Sequence, residues 1–203
     1  MIKVHHLNQS RSLRILWLLE ELEVPYEAIR HERDKTTRLA PPELQDIHPL
    51  GKSPVIEIDG RVLAESGAIV ETLCARFGPH LVPDPGTDAH LQHLELMHFA
   101  EGSVMTPILL NLYVGMLGDA GAPLHPRINQ ELDNHFDYLE DIIRASGHFV
   151  LDDLSAADVM LSFPISVLKR LNREEKHPSL DAFNRMVQDR PAFQRALARA
   201  GGD

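Results

Sequence analysis

The chain has 203 residues, 43% of them hydrophobic, 25% charged and 5% aromatic, with 30 acidic against 20 basic side chains and a formal net charge of −10. That balance, with no basic run, excludes a nucleic-acid surface, which needs clustered Lys and Arg against phosphates. No segment nears the roughly 20 apolar residues of a membrane span, the start Met1-Ile2-Lys3-Val4-His5 lacks the layout of a secretory signal, and the single cysteine, Cys74, cannot form an internal disulfide, so a cytoplasmic location is expected.

In chain order, Ile2 to Leu7 reads as a strand and Ser12 to Glu23 as a helix. Ile15, Leu18, Leu19 and Leu22 form one apolar stripe on that helix, and Leu13, Leu16 and Trp17 form a second beside it. A helix apolar over most of its circumference must be covered on two sides, by a sheet and by another layer. Tyr26 to His31 is the next strand, which suggests a βαβ unit. Pro41-Pro42-Glu43 opens a short helix, proline being tolerated in the first turn. Pro54 to Ile58 reads as an edge strand, where a missing N–H does no harm. Asp59-Gly60 is a hairpin signal leading to a partner strand at Arg61 to Ala64. Ser66 to Phe77 is a helix with Ser66 as N-cap and Gly78 as its stop. The order β-α-β-α-β-β-α over residues 1–78 matches a thioredoxin-like domain. A Pro- and Gly-rich linker follows at 79–88.

Residues 89–203 read as all-helical, so the fold class is an α/β thioredoxin-like domain followed by an all-α domain. Asp88 to Gly118 is one long helix or a kinked pair with its bend at Pro107. Further helices are expected over Pro126 to Ser146, Ala156 to Leu171 with a kink at Pro164, Ser179 to Arg190, and Ala192 to Ala200. Ser155-Ala156-Ala157-Asp158 has the form of a capping box, with Leu154 and Val159 placed as a hydrophobic staple; both are folding signals, not catalytic ones.

Three segments carry chemistry. Asn8-Gln9-Ser10-Arg11-Ser12 joins the first strand to the first helix. A serine hydroxyl there donates well to a thiolate, favoured by the helix dipole and by Arg11; the alternative is that Ser10 or Ser12 only caps the helix. His48-Pro49-Leu50-Gly51-Lys52-Ser53-Pro54-Val55 precedes a strand, and a cis Ser53-Pro54 bond would turn the Val55 backbone toward an extended peptide. Ala64-Glu65-Ser66-Gly67-Ala68 is a strand-to-helix junction. Helix N–H groups and the Ser66 hydroxyl suit a carboxylate, and Glu65 suits an ammonium, so together they fit an α-amino acid head; the alternative is an ordinary N-cap.

Taken in order, Ser10-Arg11-Ser12, Gly51-Lys52-Ser53-Pro54, Glu65-Ser66 and Ser155-Ala156-Ala157-Asp158 make the whole chain resemble the glutathione transferase superfamily. The runs Val4 to Ser12, Leu63 to Gly67 and Ala100 to Ser103 resemble a bacterial and fungal branch in which a serine faces the thiol. The resemblance implies the cytosolic glutathione transferase architecture, with glutathione as co-substrate, no metal, and a detoxifying addition of its sulfur to a small hydrophobic electrophile. It gives Ser10 the sulfur, with Arg11 and Ser12 beside it. Val55, after Ser53-Pro54, pairs with the cysteinyl backbone. Glu65 and Ser66 hold the γ-glutamyl head, and Lys52 approaches the glycyl carboxylate. It further implies a homodimer; in that setting Glu101 either reaches a partner's glutathione, close approach at Gly102 offsetting the cost of a helical glycine, or is an exposed helix carboxylate with Gly102 letting two helices pack closely. His48-Pro49 stands where many relatives have Asn-Pro. The alternatives are glutathione-dependent peroxidase or disulfide reductase chemistry on the same site, and a non-catalytic binding module.

Other polar residues are given structural readings. Cys74 lies on an apolar helix background and is expected to be buried. His90 and His93 complete no metal-ligand pattern. Glu131, Asp133, Asp137, Glu140 and Asp141 form a solvated helix face. Met105, Ile108, Leu112, Tyr113 and Met116 suit either an electrophile pocket or a core stripe.

Overall fold

A computed structural model describes residues 1–202. The chain divides into two compact units, one formed by Met1–Leu81 with Val187–Asp203 and the other by Val82–Met186.

The first unit is built on a four-stranded sheet of β1 (Ile2–Leu7), β2 (Tyr26–His31), β3 (Val55–Ile58) and β4 (Arg61–Ala64), in the order β2-β1-β3-β4. β1 runs parallel to β2 and antiparallel to β3, and β3 pairs antiparallel with β4. β3 is therefore an interior strand and not an edge. Pro54 is accommodated because it stands just before the ladder, which begins with Val55 paired to His5 on one side and Ala64 on the other. The hairpin turns through Asp59 and Gly60, both at positive φ (52° and 76°), as an Asp-Gly turn between twisted strands requires. A short α2 (Glu43–Ile47) lies between β2 and β3.

α1 (Ser12–Glu21) packs on β1 and on α3 (Ser66–Phe77). Ile15, Leu16, Trp17, Leu18 and Leu19 are all 0% exposed, so the helix is covered all round. The second cover comes from the far end of the chain. α9 (Pro191–Ala200) lies along α1, with Phe193 meeting Trp17 edge to face at 5.7 Å between centroids. The buried Glu20 carboxylate receives Arg195 Nε and Arg199 Nε at 2.8 Å each, and the Tyr26 hydroxyl at 2.9 Å. Glu21 takes the Arg190 guanidinium through both oxygens, at 2.6 and 3.2 Å. The all-helical region expected over 89–203 thus does not coincide with one compact unit. The apolar circumference of α1 recruits the last helix into the first unit.

The second unit contains α4 (Asp88–Gly102), α5 (Met105–Gly115), α6 (His125–Ile142), α7 (Ala156–Ser166) and most of α8 (Pro178–Asp189). α4 packs on α5 and α7, and α5 packs on α6. The long helix expected from Asp88 breaks at Ser103-Val104, not at Pro107. Ser103 N and Val104 N both donate to Phe99 O at 3.1 Å, which closes α4. Pro107 falls in the first turn of α5, where its missing N–H leaves no intrahelical bond unmade. α7 runs through Pro164 and ends at Ser166.

The Ser155–Asp158 capping box is present at the start of α7, and Leu154 and Val159 are both buried. Glu140 plays a similar part for α8, its two carboxylate oxygens accepting Ser179 N and Leu180 N at 2.9 and 3.0 Å.

Candidate functional site

Strand directions bring the three chemistry-bearing segments of the first unit to one end of the sheet. Because β1 and β3 are antiparallel and pair His5 with Val55, the end of β1 lies beside the start of β3. Because β3 and β4 pair Val55 with Ala64, the end of β4 lies there too. Ser10 to Ser12, Lys52 to Val55 and Glu65-Ser66 therefore leave or enter the sheet together. α1 and α3 both begin at this end, so their N-terminal N–H groups and positive dipole ends are directed to it.

The turn from β1 into α1 passes through Gln9 at φ 52°, which delivers Ser10 to the head of the helix. Ser10 is 7% exposed and Ser12 is fully buried. Their hydroxyl oxygens lie 2.7 Å apart, and Ser10 Oγ also accepts Ser12 N–H at 3.2 Å. Ser12 Oγ in turn accepts Leu7 N–H at 3.2 Å and contacts His6 Nδ1 at 2.8 Å. Ser12 is the inner member, locked to β1, and Ser10 is the outer one. Ser10 does satisfy a helix N–H, as a capping serine would, and retains a small exposure where Ser12 has none. Arg11 is half-buried at the N-cap position of α1.

The Ser53-Pro54 bond is cis. The Ser53 hydroxyl donates to His5 O at 2.8 Å and accepts Leu7 N–H at 3.2 Å. Its side chain therefore tethers this loop to β1. Gly51 precedes it at φ +56°, where an added Cβ would lie 2.8 Å from Gln45 Cγ, so only glycine fits. Lys52 is exposed beside it, Pro54 and Val55 are buried, and the His48 Nδ1 accepts Leu50 N–H at 3.4 Å.

Glu65, not Ser66, is the residue that caps α3 in position, and neither side chain makes a cap hydrogen bond. Glu65 is exposed at φ 67°, ψ 113°, an unusual conformation for a non-glycine residue and one that clusters at binding sites. Ser66 is buried as the first helical residue, and its hydroxyl accepts Arg14 Nη2 at 2.5 Å. That bond ties the heads of α1 and α3 together through Arg14, which is 2% exposed.

Arg14 and His6 were absent from the residues expected to matter. Both sit at positions that read as core from spacing alone. The available signal was polarity at a core position, since a buried Arg or His needs a partner.

Glu101 lies in the second unit, half-buried in the last turn of α4. Gly102 is the final residue of that helix, and an added Cβ would meet nothing within 4 Å among the described residues. Of the helical-unit residues considered for a pocket, Met105 and Ile108 are buried, whereas Leu112, Tyr113 and Met116 are 52%, 59% and 72% exposed. Cys74 is fully buried, and burial pushes its thiol up to about 12. The His90 and His93 rings stack at 6.0 Å. A cavity of about 380 Å³ lined by Met1, Ile2, Ile58 and Phe77 lies at the opposite end of the sheet, with only the Asp59–Arg76 ion pair as polar lining. Its carboxylate is paired with a guanidinium, and no nucleophile among the described residues stands beside them.

Residues 10–76 match the family model of the glutathione S-transferase N-terminal domain, and residues 122–199 match that of the C-terminal domain. The chain is 31% identical to glutathione S-transferase 1 of Saccharomyces cerevisiae, over 98% of this chain and 95% of the relative. It is 35% identical to glutathione S-transferase 3 of Schizosaccharomyces pombe, over 98% and 88%. The crystal structure of a glutathione S-transferase from Actinobacillus pleuropneumoniae superposes with a TM-score of 0.90 at 31% identity, covering 100% of this chain and 94% of that one. A Sulfitobacter glutathione transferase homologue, solved with bound glutathione, shares the fold at a TM-score of 0.83 and 19% identity, with 98% of each chain covered.

Proposed function

The chain belongs to the glutathione S-transferase family and is a glutathione transferase, and from that premise we propose that it holds glutathione as the thiolate at the serine end of the sheet and adds the sulfur to a hydrophobic electrophile. The observation that carries this reading is the convergence of Ser10, Val55 and Glu65-Ser66 on two helix N-termini.

A free thiol titrates near 8.5, and each unit of lowering requires about 1.4 kcal/mol of preferential binding to the thiolate. Ser10 supplies a hydroxyl donor, and the head of α1 supplies dipole charge of the right sign. Ser10 is thus a stabiliser of the anion and not a base. The sulfur lone pair then forms the new bond to the electrophilic carbon, and the electrons of the broken bond leave with the displaced group or move onto the acceptor.

The remaining groups hold the peptide. Glu65 pairs with the γ-glutamyl ammonium, and Ser66 with the α3 N-terminus receives its carboxylate. The Arg14 guanidinium behind Ser66 orders that hydroxyl and adds positive charge. Val55 offers its backbone to the cysteinyl unit, and Lys52, which is exposed, approaches the glycyl carboxylate. The Ser53 hydroxyl, engaged with β1, serves the shape of the loop. Assignment of Glu101 to a partner's glutathione rests on a homodimer. Glu101→Gln weakening glutathione binding in a protein that still sediments as a dimer is its test.

Ser10→Ala tests the reading. Turnover falls about 10²–10³-fold, the size expected for one positioned donor, while glutathione affinity changes little. Thiolate absorbance titrated in the binary complex reports the sulfur directly. An unchanged sulfur pKa in the variant would transfer the role to another group.

A further inference from the structure

The hydroxyl of Ser10 does not stand alone. It ends a chain of three polar groups that starts inside the sheet at His6, on β1. His6 is 1% exposed and Ser12 is fully buried, so bulk water does not reach the inner links. A serine hydroxyl has one hydrogen and two lone pairs, which makes the direction of such a chain a matter of counting.

Ser12 Oγ lies 2.8 Å from His6 Nδ1 and 2.7 Å from Ser10 Oγ, and it receives Leu7 N–H at 3.2 Å in a bond shared with Ser53 Oγ. The Leu7 carbonyl, at 3.3 Å, is its longest contact, so the single Ser12 hydrogen belongs in one of the two short links. Ser10 Oγ has the Ser12 hydroxyl and Ser12 N–H, and the latter can only donate.

Two arrangements follow. In one, Ser12 donates inward to a bare His6 Nδ1, and Ser10 donates to Ser12. Ser10 then turns a lone pair outward, which repels an anion. In the other, His6 carries its proton on Nδ1 and donates to Ser12, and Ser12 donates to Ser10. Both lone pairs of Ser10 are then filled, by Ser12 Oγ–H and Ser12 N–H. Its own hydrogen is the one valence left. Only the second arrangement gives a thiolate a donor.

We propose that His6, protonated on Nδ1, is a positioning residue that sets the direction of the Ser12–Ser10 hydroxyl chain and so obliges Ser10 to present its hydrogen to the glutathione sulfur. The inference rests on Ser10 facing that sulfur. His6 touches neither substrate nor reacting atoms and acts only through the two hydroxyls. Low local dielectric strengthens each link and makes the reversed orientation costly. The proposal explains why a histidine, which can donate at Nδ1, stands at a strand position otherwise suited to an apolar side chain.

The direct test is nitrogen-15 NMR of histidine-labelled protein saturated with glutathione, which distinguishes a protonated from a bare ring nitrogen. A protonated Nδ1 on His6 is expected, and a bare Nδ1 would overturn the proposal whatever the variants do. The second test is the sulfur pKa in His6→Leu. It rises by about one unit, an about tenfold loss of thiolate near neutral pH, while KM for glutathione stays within about twofold of the wild type, as expected when direct peptide contacts are kept. His6→Asn, whose amide can place an N–H near the Nδ1 position, recovers most of the loss. If Ser10→Ala raises the sulfur pKa and His6→Leu does not, the His6 inference fails and the reading of Ser10 stands. If the sulfur is unshifted in the wild-type complex, the Ser10 reading itself fails. Should His6→Leu not fold, the NMR measurement on the native protein decides alone.

Discussion

Replacing Asp158 by alanine removes the acceptor of three buried hydrogen bonds at once. Its Oδ2 accepts Ser155 N–H and Ser155 Oγ–H, each at 2.7 Å, and its Oδ1 accepts Phe149 N–H at 3.0 Å. Asp158, Ser155 and Phe149 are all 0% exposed, so no water replaces the lost carboxylate. A cap alone is worth about 1 kcal/mol, up to about 2. Here two backbone N–H groups are stranded, each at about 1–3 kcal/mol, which puts the loss near 4 kcal/mol. For a chain of this length that lowers Tm by about 8–16 °C. Asp158→Asn keeps one oxygen for Phe149 but turns an amide N–H₂ toward Ser155 N–H, so about half the loss is expected. Denaturant unfolding of both variants, with turnover normalised to folded protein, is the assay. A loss in Asp158→Ala no larger than a bare cap, or equal losses in both variants, would refute the assignment of Phe149 N–H to this carboxylate. Lost turnover with unchanged stability would refute the structural role altogether.

Three further outcomes follow from the structure. Phe193→Ala opens the α9 cover over Trp17; the half-buried ring costs about 2 kcal/mol, below the about 3–5 of a fully buried Phe, and a red shift of Trp17 emission in the folded state reports it. Burial holds His31 and His93 below their ordinary value of 6.5, each with a neighbouring histidine adding to the effect, so the unfolded chain binds more protons just below that value; stability is full above it, falls as the pH drops through it, and levels off below the folded pKa values, a slope in the denaturation midpoint that His31→Gln with His93→Gln should remove. Cys74, with its thiol pushed up to about 12 by burial, stays unmodified by a thiol reagent in the native protein and reacts on unfolding; native reactivity would contradict its burial.

Local chemistry by itself determined most of the elements. The Asp59-Gly60 turn, the Ser66–Phe77 helix and the Ser155–Asp158 box each depend on residues within a few positions, and each is where the local signals put it. The apolar circumference of α1 demanded two covering layers, and that demand was legible in Ile15 to Leu19. The candidate serines, the Ser53-Pro54 loop and Glu65 were legible for the same reason, since turns and helix heads announce themselves locally.

What only the tertiary structure decided were pairings between distant segments. That β3 is interior, that Pro107 falls harmlessly in a first turn, and that α9 is the second cover of α1 all depend on which surfaces meet. Glu20 finds Arg195, and Ser66 finds Arg14, across separations that no periodicity spans. The contacts of Arg14 and His6 belong to this class. Each sits at a position that reads as core, and a buried polar side chain acquires its meaning from the partner that satisfies it. For His6 that partner, Ser12, is only six residues away, yet the strand must end and the helix begin before the two side chains face each other.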